Sequence, residues 1–305
     1  MIHIRQQAED YLAIRRSRGF RLGGYDRLLT DFAEYLEGQG LAAVTSKAAL
    51  AWATQPRDVQ PARWKCRLAV VRGFCGYLHT LDASVEVPAT DLLVGRYHRP
   101  VPYLYSHAEI AALLAAADTL TPALRALTYR TFLGLLAATG MRLGEAIHLE
   151  RADVDLQRGS ILIRRAKFNK SRRLPLHPST VAALNSYVQQ RDRLCSKQRG
   201  ASFFVSSLGT PLIGTCVRAV FAQLVCRVGL QPRLGSGRPR LHDLRHAFAV
   251  STLEDWYRAG VDVASKVPLL SAYLGHVDPV STYWYLEAAP ALLALAADRL
   301  EHQRG

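Results

Sequence analysis

A proline-rich stretch about a third of the way along the chain constrains the fold more than any other feature. Pro88, Pro100 and Pro102 punctuate the segment from Val87 to Tyr105, in which helical periodicity fails. Proline fixes φ and cannot donate a backbone hydrogen bond, so no continuous helix crosses this segment. The 305 residues are also more than one core needs. The sequence therefore predicts a helical domain over 1–95, a linker over 96–105 and a larger domain over 106–305.

Amphipathic helices are predicted in the first domain. Apolar residues recur at helical spacing from Tyr25 to Leu36, and a second helix is expected from about Ala62 to Leu81. The face opposite the apolar stripe of this second helix carries four basic residues: Arg63, Lys65, Arg67 and Arg72. Periodicity leaves two interpretations open, a solvated surface or a surface that lies against DNA phosphates.

The charge balance favours a polyanionic partner. The formal charge is +14, and 25 of the 39 lysines and arginines lie after residue 100. Nucleic acid is the commonest partner of so basic a protein, although a basic surface can also face solvent or acidic lipid. No apolar window is long enough for a membrane span, and the N-terminus lacks the apolar core of a signal peptide. We therefore expect a cytoplasmic protein with no membrane partner.

The cysteines argue against two classes of small structural site. There are five of them, widely spaced and without a Cys-x-x-Cys pair. An odd number in this arrangement fits neither a disulfide framework nor a zinc site. A reducing compartment and no bound metal are the expectation.

The second domain is predicted to be mainly α with a small antiparallel β-sheet. Ser106 and Glu109 form a capping box ahead of a helix rich in alanine and leucine. Two β-prone runs, 160–165 and 172–176, flank the segment 167–170 as in a hairpin. Further helices are expected near residues 179–194, 214–228, 242–257 and 289–300.

A first motif that can carry chemistry spans residues 138–145, Ala-Thr-Gly-Met-Arg-Leu-Gly-Glu. A helix is predicted to end at Gly140 and another to begin at once, which places Arg142 in a first helical turn. The helix dipole disfavours a cation there unless the side chain is held to receive an anion. Taken alone, the segment is better explained as an ordinary surface arginine.

A second motif follows in the run 241–249. His242 and Arg245 are three residues apart and share one helix face, an arrangement that suits phosphate because a guanidinium matches two phosphate oxygens. A core histidine beside an arginine paired with Asp243 is the alternative interpretation. A metal site of His242 and His246 would lack the glutamate of a zinc protease motif.

The third motif lies in the run 273–285. Gly275 and His276 are predicted to close a helix, and Tyr285 follows nine positions after His276. Tyrosines in an aromatic cluster are usually core or interface residues. Each motif therefore has an ordinary structural interpretation when it is taken singly.

Taken in order, the three motifs and the lysine hairpin resemble the catalytic signature of the tyrosine recombinase or phage integrase family, which includes the Xer-type resolvases. The resemblance covers roughly residues 106 to 300 and, more loosely, the N-terminal region as the family's core-binding domain. It implies the two-domain DNA breaking-rejoining architecture. It also implies cleavage and rejoining of DNA through a covalent 3′-phosphotyrosine, with no cofactor, metal or ATP. The catalytic set that it implies is Arg142, Lys167, His242, Arg245, His276 and Tyr285.

The residue types suit that chemistry. A phenol with a pKa near 10 is a poor nucleophile, so the attacked phosphorus must be activated around Tyr285. Arg142 and Arg245 can hold the non-bridging oxygens and stabilise the transition state. His242 and His276 can donate to the same oxygens or assist the phenol proton. The sequence offers no carboxylate cluster for two metals and no P-loop.

The remaining site assignments rest on the resemblance and on charge. The resemblance gives Lys167 as the proton donor to the leaving 5′-oxygen, with Lys170 as a rival, and Glu145 as support for the first arginine. The residues expected to contact DNA are Arg63, Lys65, Arg67, Arg72, Arg96, Arg99, Arg164 and Lys170. Because basic residues occur in both domains, the helix from Ala62 is expected on one side of the duplex and the catalytic domain on the other.

One departure from the family pattern stands out. Arg245 and His276 are 31 positions apart, about two helical turns more than in the simplest Xer-like members, and the extra length is placed within Leu253–Pro268. This is typical of a transposon or integrative-element branch. Two other functions remain open: type IB topoisomerase relaxation and a non-catalytic helical DNA-binding regulator.

Assembly is the last expectation. The partners implied are double-stranded DNA and further copies of the chain, as a tetramer on paired sites, with room for an accessory recombinase or a DNA-bending protein. The helix predicted near residues 289–300 is strongly apolar and must bury one side. It either packs on its own domain or, as the family resemblance favours, docks on a neighbouring subunit.

Overall fold

The chain forms two compact units, Met1–Arg99 and Pro100–Gly305. The computed structural model describes residues 4–20, 22–41, 43–93, 101–164, 171–195, 200–233, 236–276 and 282–285. Predictions about Arg96, Arg99, Lys167, Lys170 and the segment 289–305 lie outside the described residues. No helix in the described part of the chain combines the length and apolar character needed to cross a membrane.

The described part of the first unit is helical. Its helices are α1 (Ile4–Ser17), α2 (Tyr25–Gly38), α3 (Ser46–Thr54) and α4 (Pro61–Leu81). The apolar stripes of these helices meet in one core, in which Phe32, Trp52 and Phe74 are fully buried. The ring of Phe32 packs edge-on against Trp52 at a centroid distance of 5.1 Å. Packing of this kind supplies most of the stability of short helices in a small domain.

One predicted DNA contact on α4 is wrong. Arg67 is only 8% exposed, and its guanidinium lies 3.8 Å from the Trp52 ring centroid. It also donates hydrogen bonds to Asp31 (3.1 Å) and to the carbonyl of Trp52 (3.2 Å). The reason is helical spacing, since residue 67 precedes the buried Val71 by four positions and shares its face. Arg63 and Lys65 are exposed and Arg72 is half-buried, so for these three the assignment stays a prediction.

We expect Arg67→Ala to destabilise the protein by about 1–3 kcal/mol, because a buried, charged hydrogen-bond donor and its contact with Trp52 are lost together. Thermal denaturation measures the effect. Arg63→Ala is the matched control, since Arg63 lies exposed on the same helix. Equal melting temperatures for the two variants would contradict the assignment of Arg67 to the core.

The second unit is mainly helical with a small sheet. Its described helices are α5 (His107–Asp118), α6 (Ala123–Thr139), α7 (Leu143–Ile147), α8 (Pro178–Leu194), α9 (Gly214–Val228), α10 (Leu241–Arg258) and α11 (Val263–Leu274). The strands are β1 (Val154–Asp155), β2 (Ser160–Ile163) and β3 (Arg172–Pro175), in antiparallel order β1-β2-β3. The β2–β3 pairing agrees with the predicted hairpin; the two-residue strand β1 was not predicted. A 3-10 turn at Arg151–Asp153 precedes β1, and residues 282–285 form one helical turn.

Two buried clusters hold this unit together. The larger one includes Phe132, Tyr187 and Phe204. The ring centroid of Phe204 lies 5.1 Å from that of Phe132 and 5.1 Å from that of Tyr187. The smaller one joins α10, α11 and Tyr285. The segment expected to carry extra length, Leu253–Pro268, forms the end of α10, a turn and the start of α11. The smaller cluster therefore fixes the surroundings of the candidate nucleophile.

Candidate active site

The site is organised around the C-terminal end of α11. Gly275 ends the helix with φ of +70°, a left-handed conformation that favours glycine. Its N–H donates to the carbonyl of Ala272 (3.0 Å), and the N–H of His276 donates to that of Ser271 (2.9 Å). The turn thus satisfies two of the carbonyl groups that a helix leaves unpaired at this end.

Three consecutive carbonyl groups beyond these each accept a hydrogen bond from a different arginine. The bonds run from Arg172 Nε to Tyr273 O (2.8 Å), from Arg245 Nη2 to Leu274 O (2.8 Å) and from Arg142 Nη2 to Gly275 O (2.7 Å). The arginines come from β3, from α10 and from the residue before α7. The partial negative charge of a helix C-terminus favours cations there. The end of α11 therefore gathers three guanidinium groups that are far apart in the sequence.

Arg142 is the N-cap residue of α7, one position before the first turn in which the sequence placed it. Its Nη1 donates to Glu145 Oε1 (2.9 Å), and its backbone N–H donates to Glu145 Oε2 (2.9 Å). The side chain is 28% exposed, whereas that of Glu145 is 9% exposed. Glu145 thus offsets the unfavourable helix dipole and holds Arg142 at the surface of the site, as the sequence interpretation proposed.

Arg245 lies deeper, only 2% exposed. Besides Leu274, it donates from Nη1 to the carbonyl of Gly140 (2.8 Å). Burial lowers the pKa of Arg245 to about 10, and the nearby phenol of Tyr285 partly offsets this effect. The guanidinium therefore remains cationic at neutral pH, in a setting where its charge is poorly screened.

His276 and Tyr285 lie side by side. The imidazole Nδ1 is hydrogen-bonded to Thr282 Oγ1 (2.7 Å), and its ring stacks on that of Tyr285 with centroids 5.9 Å apart. Tyr285 is 1% exposed, whereas Tyr283 is 45% exposed. The two tyrosines thus occupy opposite environments: Tyr285 is buried against His276 and affects the pKa of Arg245, whereas Tyr283 is largely exposed.

His242 lies at the rim of the site. Crowding of its imidazole by protein, followed by the positive charge of Arg245, lowers the pKa of His242, so the ring is neutral at pH 7. It packs edge-on against His246 at 4.7 Å, and His246 in turn packs against Tyr285 at 5.3 Å. Two imidazoles therefore connect α10 to the tyrosine.

The structure brings together four of the six predicted catalytic residues directly: Arg142, Arg245, His276 and Tyr285. A fifth, His242, lies next to them, and the hairpin lysines are among the residues not described. Arg164, a predicted DNA contact, is exposed and forms an ion pair with the buried Asp153. Its role toward DNA stays a prediction.

Sequence reasoning missed two polar residues of the site, Thr282 and Arg172. A usable signal existed for Arg172, because strand residues alternate between faces and Arg172 shares a face with Leu174, which is fully buried. Thr282 gave no such signal, since nothing in its local pattern indicates contact with His276.

The arrangement suits a phosphodiester. Two guanidinium groups can bind non-bridging phosphate oxygens, and a phenol beside an imidazole can act as a nucleophile. Among the residues that the structure describes, no group of three or more histidine, cysteine or acidic side chains lies close enough to hold a metal ion.

Comparison with known proteins gives a consistent result. The model of the phage integrase family matches residues 104–291. A putative integrase/recombinase of Sinorhizobium fredii, y4rB, is 41% identical over 309 residues, covering 99% of this chain and 98% of the relative. A XerH site-specific recombinase bound to a palindromic difH substrate shares the fold, with a TM-score of 0.69 and 19% identity over 92% of this chain and 80% of that one. A lambda integrase tetramer bound to a Holliday junction gives a TM-score of 0.61 and 17% identity, over 90% and 77% of the two chains.

Proposed function

The chain belongs to the phage integrase family of tyrosine recombinases and is a site-specific DNA recombinase, and on that premise we propose that Tyr285 is its nucleophile. The phenolic oxygen of Tyr285 attacks the scissile phosphorus and a 3′-phosphotyrosine bond forms. The bond from phosphorus to the 5′-oxygen breaks, and the leaving oxygen takes up a proton. Attack by a 5′-hydroxyl of the partner strand reverses these steps and rejoins the DNA.

The other residues are assigned by what they can donate. Arg142 and Arg245 bind the non-bridging oxygens while they keep their contacts with backbone carbonyls, since a guanidinium has five N–H donors. His276, and His242 from the rim, assist the proton of the phenol or donate to the phosphate. Lys167, outside the described residues, is the proposed donor to the leaving oxygen.

The stacking of Tyr285 on His276, close enough to Arg245 to affect the pKa of that guanidinium, is the observation that supports this proposal most strongly. Tyr285 lies in the same small core as α10 and α11, so the helices that carry the arginine and the histidine also fix the phenol. The two arginines held at one helix end are positioned to bind an anion beside this phenol.

Covalent trapping tests the proposal. The recognition sequence is first selected by binding from a randomised duplex library, and duplexes of that sequence are then made with nicks at successive positions. A nick next to the cleavage site lets the short leaving strand diffuse away and traps the intermediate. We expect a protein–DNA band that survives SDS and forms in EDTA. Specific binding without any such band would reject the proposed function.

We propose that both units contact the duplex, because exposed basic residues occur on each, including Arg63 and Lys65 on α4. Each phosphate contact releases counterions, so DNA affinity should fall by about a thousandfold or more between 50 and 200 mM salt. Arg63→Ala should lower the slope of log affinity against log salt by about one unit. Titration of the intact chain at several salt concentrations measures both. An unchanged slope would exclude Arg63 from the interface.

Assembly on paired sites is proposed from the family. The related lambda integrase is described as a tetramer on a Holliday junction, and we infer a tetramer here as well, with the C-terminal segment 289–305 docking on a neighbour. Deletion of 289–305 should leave binding to a single site intact, whereas cooperative binding to paired sites and strand exchange should disappear. Gel retardation and a two-site recombination assay measure these effects. Efficient recombination by the truncated chain would assign the segment to its own domain.

A further inference from the structure

The side chain of Arg172, at the start of β3, makes three hydrogen bonds within the site. It is 13% exposed. Nη1 and Nη2 donate to the two oxygens of Glu145 (3.0 and 2.8 Å), which is the bidentate geometry that a guanidinium forms with a carboxylate. Nε donates to the carbonyl of Tyr273 (2.8 Å). One side chain thus joins the sheet, the residue that supports Arg142, and the end of α11.

Glu145 is shared between two arginines. Each of its oxygens accepts one hydrogen bond from Arg172 and one from Arg142. Burial by itself raises the pKa of Glu145, but the hydrogen bond and charge of Arg172, followed by the contribution of Arg142, hold it below its ordinary value. The carboxylate therefore stays ionised and acts as a fixed anchor.

Arg172 also packs against Gly275. A Cβ at position 275 would lie 2.8 Å from Nη1 of Arg172 and 2.9 Å from its central guanidinium carbon. The guanidinium therefore packs closely against the residue whose carbonyl accepts the Nη2 hydrogen bond of Arg142. Both partners that hold the Arg142 guanidinium, Glu145 and Gly275, are in contact with Arg172.

We propose that Arg172 is a positioning residue for strand cleavage: it fixes Glu145 and Gly275 so that Arg142 is aimed at the scissile phosphate. The proposal rests on the function proposed above. Arg172 itself does not contact the phosphate. Its loss lets Arg142 swing between alternative partners, and a misplacement of about 1 Å at a reacting centre can cost up to about 100-fold in rate.

The experiment compares three variants by the rate of adduct formation on nicked DNA, by DNA affinity and by melting temperature. Arg172→Met removes the donors, and Arg172→Lys retains the charge but cannot form the paired hydrogen bonds to Glu145. Arg173→Met is the control, since Arg173 is exposed on the other face of β3 and bonds to Ser160. We expect Arg172→Met to form the adduct up to about 100-fold more slowly than the control at similar DNA affinity, and Arg172→Lys to fall between the two.

A second substrate separates positioning from general destabilisation. A methylphosphonate at the scissile position replaces one charged oxygen by a methyl group, so less cationic stabilisation is needed. If Arg172 acts through Arg142, the rate defects of Arg172→Met and Arg142→Met should both shrink on this DNA. A folding defect would be the same on both substrates.

Each outcome decides the point. Equal rates for Arg172→Met and Arg173→Met, or a defect that methylphosphonate leaves unchanged, would overturn the role of Arg172. Should Arg172→Met fail to fold, Arg172→Lys decides alone, and a wild-type rate for it would reject the proposal. Absence of any adduct from the unmodified chain would instead reject the proposed function, and this inference with it.

Discussion

Tyr285→Phe is expected to abolish the covalent protein–DNA adduct while DNA affinity stays near that of the unmodified chain. The substitution removes only the hydroxyl, and the ring, 1% exposed, keeps its packing against His276 and the smaller core. Denaturing gels of the trapped complex measure the adduct, and gel retardation measures affinity.

Tyr283→Phe is the matched control. This tyrosine is 45% exposed and lies two residues earlier on the same helical turn, so its hydroxyl points elsewhere. The Tyr283 variant should form the adduct at the rate of the unmodified chain. Adduct formation by Tyr285→Phe, or its loss in Tyr283→Phe alone, would move the nucleophile to a different residue.

Arg245→Lys should have the second largest effect, a fall in cleavage rate of roughly 100- to 1000-fold with a much smaller change in DNA affinity. Lysine retains the charge, but its single ammonium group cannot donate to the carbonyls of Gly140 and Leu274 and also bind two phosphate oxygens. The guanidinium is buried, so solvent cannot replace the lost donors. Interactions that strengthen only in the transition state change the rate and leave binding alone.

The control for this prediction is Arg258→Lys. Arg258 lies exposed at the other end of α10 and pairs with Glu254, so the same exchange there should leave the rate unchanged. Melting temperatures should be recorded for both variants, because the lost backbone contacts of Arg245 also cost about 1–3 kcal/mol. Parallel losses of affinity and rate in Arg245→Lys would make Arg245 a binding residue and contradict its role in the transition state.

Local patterns predicted the elements well because they depend on residues near in sequence. Gly140 and Gly275 end α6 and α11, and the capping box at Ser106 and Glu109 begins α5, as expected. The hairpin also formed between the predicted runs. The strand β1 is too short to give an alternating pattern, so nothing in the sequence distinguished it from a turn.

Local patterns could not predict contacts between residues that are far apart in the sequence. The order of the motifs indicated which residues belong together, but not that the end of α11 is what gathers them. Arg142 reaches Gly275 across 133 positions, and Arg172 reaches Tyr273 across 101. Arg67 is a different case, because its spacing of four residues from Val71 already indicated the buried face of α4. The sequence did not indicate its partner, the ring of Trp52 on another helix.

Tyr285 is the proposed residue that becomes linked to DNA, and mapping of the trapped adduct tests this most directly. The adduct is digested with nuclease and protease, and the peptide that retains a nucleotide is sequenced by mass spectrometry. A single modified peptide with the phosphate on Tyr285 is expected in the unmodified chain and in Tyr283→Phe alike. A nucleotide on Tyr283, or on any other residue, would contradict it.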